Sequence, residues 1–187
     1  MQKSKYELAI TLSAIFISLC AFFVSIYQTN VLKEQTTLMQ EQQHATVWPR
    51  LFIARTTGSG ISKFIIRNDG VGPAQIRHVE VRVRGQIMKR WNEVLAALTN
   101  KNSFTTVKTN INNRVIRSGD EFAMLNILDE STADSVNANS KNITIIVYYS
   151  SIYGRTWVLN QDFGKQGFAI PEQVETTEYN EDNQFLD

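Results

Sequence analysis

The sequence of 187 residues contains one cysteine, Cys20, and two histidines, His44 and His78. One cysteine excludes an internal disulfide and a cysteine metal cluster. With only two histidines, a metal site with three histidine ligands is excluded. A Ser-His-Asp arrangement would have to use one of these two. Neighbouring carboxylates such as Asp120 and Glu121 point to opposite faces of a strand and form no hydrolytic pair. The sequence therefore predicts no enzyme, no cofactor and no metal site.

Basic residues are missing from the end of the chain. Residues 172–187 include no Lys or Arg, although six of them are acidic. This segment also has little hydrophobic content, which is typical of chain that does not fold by itself. The sequence predicts an acidic, disordered tail over residues 171–187 and a correspondingly basic body ahead of it. No nucleic-acid partner is expected.

Charge is also absent from the twenty residues Leu8 to Tyr27, LAITLSAIFISLCAFFVSIY. As a helix this stretch would extend about 30 Å, the thickness of the hydrocarbon core of a bilayer. Its few hydroxyl groups can bond back to the preceding helical turn. The sequence predicts a short flank over residues 1–7 and a transmembrane helix over residues 8–28, so the lipid bilayer is the first expected partner.

Two alternatives fit the apolar stretch less well. A cleaved secretory signal needs small residues at its cleavage site, but no A-x-A pattern interrupts the run. A lipoprotein signal would place a small residue before Cys20, where Leu19 stands, so Cys20 is expected to be an inert buried thiol. Lys3 and Lys5 precede the span and Lys33 alone follows it closely, a bias that favours a cytoplasmic N-terminus. We therefore expect a single-pass protein whose larger part lies outside the cytoplasm.

Residues 29–48 are rich in Gln, Glu, Leu and Met, which favour helix. We expect the helix to continue as a stalk and to stop where Pro49 biases Trp48 away from helical angles. Three residues recur with a spacing of seven, namely Val31, Leu38 and Ala45. This stripe would suit a homo-oligomer formed through the stalk. A solvated spacer fits so short a stripe equally well.

From Arg50 onward the hydrophobic pattern changes from helical to alternating. In QIRHVEVRVRG the valines share one face and His78 shares the other with Glu80, which indicates a half-buried antiparallel strand. Similar segments, bounded by turn residues, are LFIART, KFIIRN, RVIR, EFAMLNIL, NITIIVYYS and RTWVLN. Short strands in this number predict a mainly β protein with a two-sheet sandwich over residues 49–170.

Two segments interrupt the strand pattern. RWNEVLAALT spaces its apolar residues as a helix does and predicts a short helical insertion that caps the sandwich. Its expected buried face consists of Trp91, Val94, Leu95 and Leu98. Residues 130–141, ESTADSVNANSK, are polar and predict a loop with room for one helical turn.

The glycines in KFIIRNDGVGPAQ resemble a nucleotide-binding loop at first sight. Such a loop requires a helix after the glycines, so that free backbone N–H groups face the phosphate. Here Pro73, which lacks an N–H, follows Gly72, and a strand comes next. Gly70 and Gly72 are therefore expected to be positive-φ positions in a tight connection that begins at Asn68.

The run N-D-G-V-G-P-A, residues 68–74, is similar to the N-x-G-x-G-x-A connection of immunoglobulin-like and adhesion-type bacterial β-sandwich domains. With YQTNVLKEQ, VWPRL and the apolar stretch, the chain resembles a group of uncharacterised bacterial single-pass membrane proteins with one such domain. The likeness in layout covers most of residues 7–160. Its most specific motif spans only about ten positions. It implies the architecture and an inner-membrane location, and it carries no catalytic residues to this sequence.

Two groups of residues form the candidate binding patch. Cations lie close together in sequence and would suit anionic lipid heads, a nucleotide or the acidic tail of the protein itself. Aromatic residues near one hairpin turn are typical of a recognition surface, although such residues also fill cores. The patch consists of Arg82, Arg84, Lys89, Arg90, Tyr148, Tyr153 and Trp157.

These observations leave two functional hypotheses. In the first, the protein is a non-enzymatic, membrane-tethered interaction module whose sandwich binds a protein or cell-envelope partner in the periplasm. In the second, the arginine-rich domain lies in the cytoplasm, senses an anionic ligand such as a nucleotide second messenger and acts on the membrane. The side of the membrane on which the sandwich lies separates the two.

Overall fold

A computed structural model describes residues 2–175 and 179–187, with side chains from residue 6 onward. Met1 of the predicted flank and residues 176–178 of the predicted tail lie outside the described residues. The chain divides into two compact units, Met1–Ala45 and Thr46–Asp187. The described residues of the first unit belong to one long helix, α1 (Gln2–Thr46).

Helix α1 is long and apolar enough to cross a bilayer, by length and composition. Its large apolar side chains between Leu8 and Tyr27 are uncovered by protein, with exposed fractions from 47% at Ile26 to 71% at Tyr27. Thr11 and Ser18 donate their hydroxyls to backbone carbonyls of the preceding turn, as predicted. Cys20 is exposed on the helix, within the stretch predicted to span the bilayer, so its burial stays a prediction.

The described residues of the second unit form two antiparallel sheets, two helices of nine or more residues and two short 3-10 helices, Ser140–Asn142 and Glu181–Asn183. Its main elements are β1 (Leu51–Gly58), β2 (Ile61–Asn68), β3 (Ala74–Val83), β4 (Gln86–Met88), α2 (Trp91–Thr99), β5 (Thr106–Lys108), β6 (Val115–Ile116), β7 (Glu121–Ile127), α3 (Glu130–Asn139), β8 (Ile143–Ser150), β9 (Thr156–Asp162) and β10 (Glu172–Val174). All seven predicted strands are present. The sequence did not predict β4, β5 and β10, which have three residues each.

The strand order defines the two sheets. One has four strands in the order β1-β2-β7-β5, and the other has the order β10-β9-β8-β3-β4, with β6 paired to β3 as its sixth strand. Neighbouring strands are antiparallel throughout the described pairs. A bulge between Ile76 and His78 shifts the alternation in β3, so that Ile76 and Val79 both face inward.

One hydrophobic core receives side chains from both sheets. Ile53 and Phe64 come from the four-stranded sheet, and Val81 and Val147 come from the other. Helix α2 closes this core with its predicted face, since Trp91 packs 5.7 Å from the ring of Phe64. The helix ends at Asn100, whose left-handed backbone (φ 56°) suits a helix C-cap.

The prediction of a mainly β protein holds only in part. About 37% of the chain is helical and about 33% is strand. Helix α1 alone supplies 45 helical residues, which explains the balance. Beyond it, the predicted antiparallel sheets with a short helical insertion are confirmed.

The polar segment 130–141 is a helix, so the predicted loop is wrong. Asp129 caps α3 by accepting a hydrogen bond from the Thr132 backbone N–H at 2.9 Å. Ala133 and Val136 are the apolar residues that α3 buries. Two such residues are too few to show a helical period, and the cap together with tertiary packing forms the helix.

The end of the chain is packed against the sandwich, so the predicted disorder is wrong for the described part of the tail. Strand β10 pairs with β9, and Phe185 is only 2% exposed. The ring of Phe185 meets Trp91 edge-on, with centroids 5.1 Å apart. A single aromatic anchor in a polar segment leaves no periodic pattern, so the sequence could not show this packing.

Asn68 organises the connection between β2 and β3. Its Oδ1 accepts from the backbone N–H groups of Arg50 and Gly70, and its Nδ2 donates to the carbonyls of Gly72 and Ile116. The side chain is fully buried and all four of its amide hydrogen-bonding positions are used. Asn68 therefore joins the chain entering β1 to the β2–β3 connection and to β6.

Close backbone approach, and not positive φ, explains the two glycines of this connection. Neither Gly70 nor Gly72 has positive φ, so that expectation is wrong. A Cβ on Gly72 would lie 1.9 Å from the carbonyl oxygen of Val47, and one on Gly70 would lie 2.3 Å from the nitrogen of Arg50. The entering chain crosses directly over the loop, and only glycine leaves room for it. The structural interpretation of the glycine-rich stretch agrees with this geometry.

Candidate functional site

The four predicted patch cations lie around β4, but they are not equivalent. Arg82 forms an ion pair with Glu80 on the same strand face. Arg84 is exposed in the β3–β4 turn with a left-handed backbone. Arg90 is the exposed residue before α2, and the backbone carbonyl of Lys89 accepts a hydrogen bond from Leu186 at 2.8 Å. The acidic end of the chain thus meets this region through its backbone.

The three predicted patch aromatics lie in three different environments. Trp157 is in the core, 8% exposed and stacked on Tyr149 with centroids 5.8 Å apart. Tyr153 is exposed in the turn between β8 and β9. Tyr148 lies on the outer face of the six-stranded sheet. The alternating pattern did not reveal which aromatic faces inward, and Trp157 is removed from the candidate surface.

His78 is buried and not solvated, which corrects the prediction of an exposed charged face. It is 1% exposed and Glu80 is 5% exposed. The ring of Tyr179 stacks on His78 with centroids 4.5 Å apart, and Tyr148 packs against the same ring edge-on. The C-terminal part of the chain therefore covers this strand face, which sequence alternation alone assigns to solvent.

Burial lowers the pKa of His78 below its usual value of 6.5, because the charged imidazolium would lose its hydration. Glu80, Gln184 and Glu181 oppose this by favouring the charged form, while Lys89 adds to the lowering. The Nε2 atom of His78 has no hydrogen-bond partner among the described residues. The rings of Tyr179 and Tyr148 thus hold the imidazole of His78 against the sheet.

A cleft of about 530 Å³ lies on the outer face of the six-stranded sheet, next to Tyr148. Ile146 and Tyr148 of β8, with Val158 of β9, line its apolar part. The loop between β9 and β10 forms one wall of the cleft. Gln161 holds this loop in place by accepting a hydrogen bond from the backbone N–H of Ala169 at 2.9 Å.

The cleft combines apolar and polar groups of both charges. Lys165 supplies a positive charge, and Asp162 and Glu172 supply negative charges. The polar side chains that complete the lining are Asn160, Gln161 and Gln166. Phe168 and Ile170 line the same loop wall and are 65% and 74% exposed. Exposed aromatic residues beside polar groups are characteristic of interface centres with a polar rim.

Of the predicted patch, the structure places only Tyr148 in this cleft. The loop residues Lys165 and Phe168 were missed, because they belong to no periodic segment and stand beside ordinary turn residues. Two glycines, Gly164 and Gly167, mark the loop in the sequence and are the one signal that could have drawn attention to it.

Among the described residues, no group of three or more His, Cys, Asp or Glu side chains is arranged to hold a metal ion. The hydroxyl of Tyr149 lies 3.4 Å from the backbone nitrogen of Leu51, and burial raises the pKa of that hydroxyl. This contact joins the two sheets inside the core. Comparisons with protein-family models, curated proteins and solved structures return no match.

Proposed function

We propose that the protein is a non-enzymatic, membrane-tethered binding module with an immunoglobulin-like sandwich, located in the bacterial inner membrane. Its cleft beside Tyr148 binds an extended segment of a partner protein on the periplasmic side. The observation that carries the tether is the uncharged stretch Leu8 to Tyr27, whose apolar side chains are uncovered in α1. Uncovered apolar surface of this size is stable in lipid and not in water.

The strand order supports the immunoglobulin-like class. Immunoglobulin-type sandwiches place strands A, B, E and D in one sheet and C, F and G in the other. Taking β1, β2, β3, β5, β7, β8 and β9 as A to G gives the order A-B-E-D in the four-stranded sheet and C-F-G in the other. Strand β4 then follows C, and β10 lies beyond G. The resemblance carried by residues 68–74 points to the same class.

The composition of the cleft supports a peptide segment as its occupant. An extended peptide presents backbone donors and acceptors together with side chains of alternating character. Asn160 and Gln166 offer amide groups for the backbone, while Ile146 and Val158 offer apolar contact. Lys165 and Glu172 would then select the charge pattern of the partner.

The alternative of a cytoplasmic sensor for an anionic ligand receives less support from the geometry. Recognition of a nucleotide phosphate usually needs several positively charged side chains that converge on the phosphate. Among the described residues that line the cleft, Lys165 is the one basic side chain. Arg82, the first of the four predicted patch cations, forms an ion pair with Glu80.

The tether is tested by fractionating cells that express the full chain. We expect the protein to stay in membranes after an alkaline carbonate wash and to be released only by detergent. We also expect the N-terminal residues to be retained in the mature protein. Recovery in the soluble fraction would contradict the tether, and a mature form that begins after Tyr27 would show that the stretch is a cleaved signal.

The cleft is tested with a photo-cross-linking amino acid at position 168 in living cells. We expect an adduct with a partner protein that disappears in Tyr148→Ala. Val107 is a matched control position, because it is 52% exposed and lies on β5 in the other sheet. Equal adducts from positions 168 and 107, or an adduct insensitive to Tyr148→Ala, would exclude the cleft as the binding site.

A further inference from the structure

The outer edge of β3 is completed by three short pieces of chain. Strand β6 pairs with Ala74 and Gln75, and β4 pairs with residues 81–83. Between them lies the C-terminal segment, which we define as residues 179–187. The backbone N–H of Phe185 donates to the carbonyl of Val79 at 2.8 Å. The segment therefore adds to the sheet edge in the manner of a bound peptide.

Phe185 is the anchor of this segment. It is 2% exposed and fills a pocket in which Trp91 contacts it edge-on. The pocket is lined by Val79, Val81, Trp91, Thr109, Ile111, Met124 and Ile145. The space left beside the ring is about 10 Å³, too little for a second group of any size. The pocket fits one aromatic side chain closely.

Polar groups of the sandwich bind the backbone on both sides of this anchor. Asn112 donates its amide to the carbonyl of Phe185 at 2.5 Å, and Asn110 donates to the carbonyl of Leu186 at 3.3 Å. The backbone N–H of Leu186 donates to Lys89. The Leu186 side chain is 52% exposed and contributes no comparable anchor.

Asp187 supplies a specific acidic contact. Its carboxylate accepts a hydrogen bond from the backbone N–H of Trp91 at 2.7 Å, at the first residue of α2. Lys108 lies 3.3 Å from the same oxygen. The residue before α2, Arg90, makes no capping hydrogen bond with its side chain, and the Asp187 carboxylate instead satisfies the free N–H of the first helical residue. The segment thus fills the groove with an aromatic residue followed two positions later by an acid.

We propose that this groove also accepts the C-terminal segment of a second copy of the chain, so that two copies exchange their ends. The segment, residues 179–187, is separated in sequence from the groove, whose lining residues fall between Val79 and Ile145. A segment from the second copy would make the same contacts as the segment of the same copy. Exchange therefore costs little free energy beyond that of bringing the two copies together. A groove that has lost its occupant exposes Trp91 and Val79, which favours capture of another end.

The test uses the full chain truncated after Glu175, solubilised in detergent, and a labelled peptide of residues 179–187. We expect saturable binding to the truncated chain and much weaker binding to the intact chain, whose own segment fills the groove. A Phe185→Ala peptide should bind at least about 100-fold more weakly. A Leu186→Ala peptide is the matched control and should bind within about threefold of the wild type.

Equal binding of the wild-type and Phe185→Ala peptides, or no binding to a truncated chain that still unfolds cooperatively, would overturn the inference. If the truncated chain fails to fold, a photo-cross-linking residue at position 186 of the intact chain replaces it. Mixed copies with different tags should then give adducts between copies near Lys89 that Phe185→Ala abolishes. Adducts confined to single copies at every concentration would exclude exchange. Neither assay depends on the proposed membrane function.

Discussion

Single residues decide how the sandwich is connected. Asn68 makes four hydrogen bonds from a fully buried amide, and Gly72 leaves space for Val47 to cross it. The sequence indicated that Asn68 and the glycines shape a connection and not a phosphate site. It gave the wrong reason for the glycines, because a close approach between segments distant in sequence has no local pattern.

We expect Gly72→Ala to lower the thermal midpoint of the full chain in detergent far more than Gly58→Ala. The added methyl group would overlap the Val47 carbonyl, whereas a Cβ on Gly58 would lie 3.6 Å from Ile61, an ordinary contact. Near-ultraviolet circular dichroism follows the loss of tertiary structure. Equal midpoints for the two variants would show that the crossing is not tight.

Asn68→Ala should destabilise the protein by about 3 kcal/mol, since four backbone groups, three of them buried, lose their hydrogen bonds to this amide. The exposed Asn102→Ala is the control and should change stability by less than about 0.5 kcal/mol. Denaturant unfolding of the solubilised full chain measures both. An Asn68→Ala variant as stable as the control would contradict the role assigned to this amide.

His78 gives a prediction about pH. Its folded-state pKa lies below the usual 6.5, so the unfolded chain takes up a proton first as the pH falls. The stabilising contribution of the neutral ring is complete above pH 6.5 and is lost as the pH falls through the lowered pKa.

We therefore expect the thermal midpoint of the wild type to fall more between pH 7 and pH 5 than that of His78→Phe, as checked by unfolding scans at several pH values. Subtracting the pH dependence of one thermal midpoint from that of the other removes the contribution of groups that titrate in both proteins. A wild-type profile parallel to that of His78→Phe would show that His78 does not titrate in this window.

At the scale of elements, the sequence predicted the helices and strands whose buried residues show a period, and it missed those that few buried residues hold in place. Helix α2 was predicted with its buried face because Trp91, Val94, Leu95 and Leu98 have helical spacing. Helix α3 was missed because it buries few apolar residues and depends on the Asp129 cap. The C-terminal segment was missed for a similar reason, since its stability comes from one anchor and from hydrogen bonds supplied by distant residues.

Phe185→Ala should lower the free energy of unfolding by about 3 to 5 kcal/mol, because it empties a pocket that the ring fills closely. Leu186→Ala is the neighbouring control and should cost less than about 0.5 kcal/mol, because that side chain is largely exposed. Denaturant unfolding of the full chain in detergent compares them. Similar costs for both variants would mean that Phe185 is not an anchor.

At the scale of the whole molecule, the question is where the sandwich lies. The proposed tether places α1 in lipid, and the bias of Lys3 and Lys5 over Lys33 favours a periplasmic sandwich. A periplasmic location fits the proposed peptide-binding cleft. A cytoplasmic location would favour the alternative, in which an anionic ligand acts on the domain.

We expect alkaline phosphatase fused after Asp187 to be active, because the enzyme functions only outside the cytoplasm. A cytoplasm-specific fluorescent reporter at the same position should stay dark. The opposite pair of results would place the sandwich in the cytoplasm and would contradict the proposed side. Moving Lys3 and Lys5 to positions after the span tests the cause, since the inverted charge bias should reverse the outcome.

The sequence by itself determined the features that repeat locally. An uncharged stretch of twenty residues, the change to alternation after Arg50 and the spacing of α2 are each visible in consecutive residues, because helices and strands impose fixed periods. Tertiary structure decided the rest. Burial of His78, anchoring of Phe185, the crossing over Gly72 and the cleft beside Tyr148 each join residues far apart in the chain. No local period encodes such contacts, because they arise only when the sheets and the end of the chain pack together.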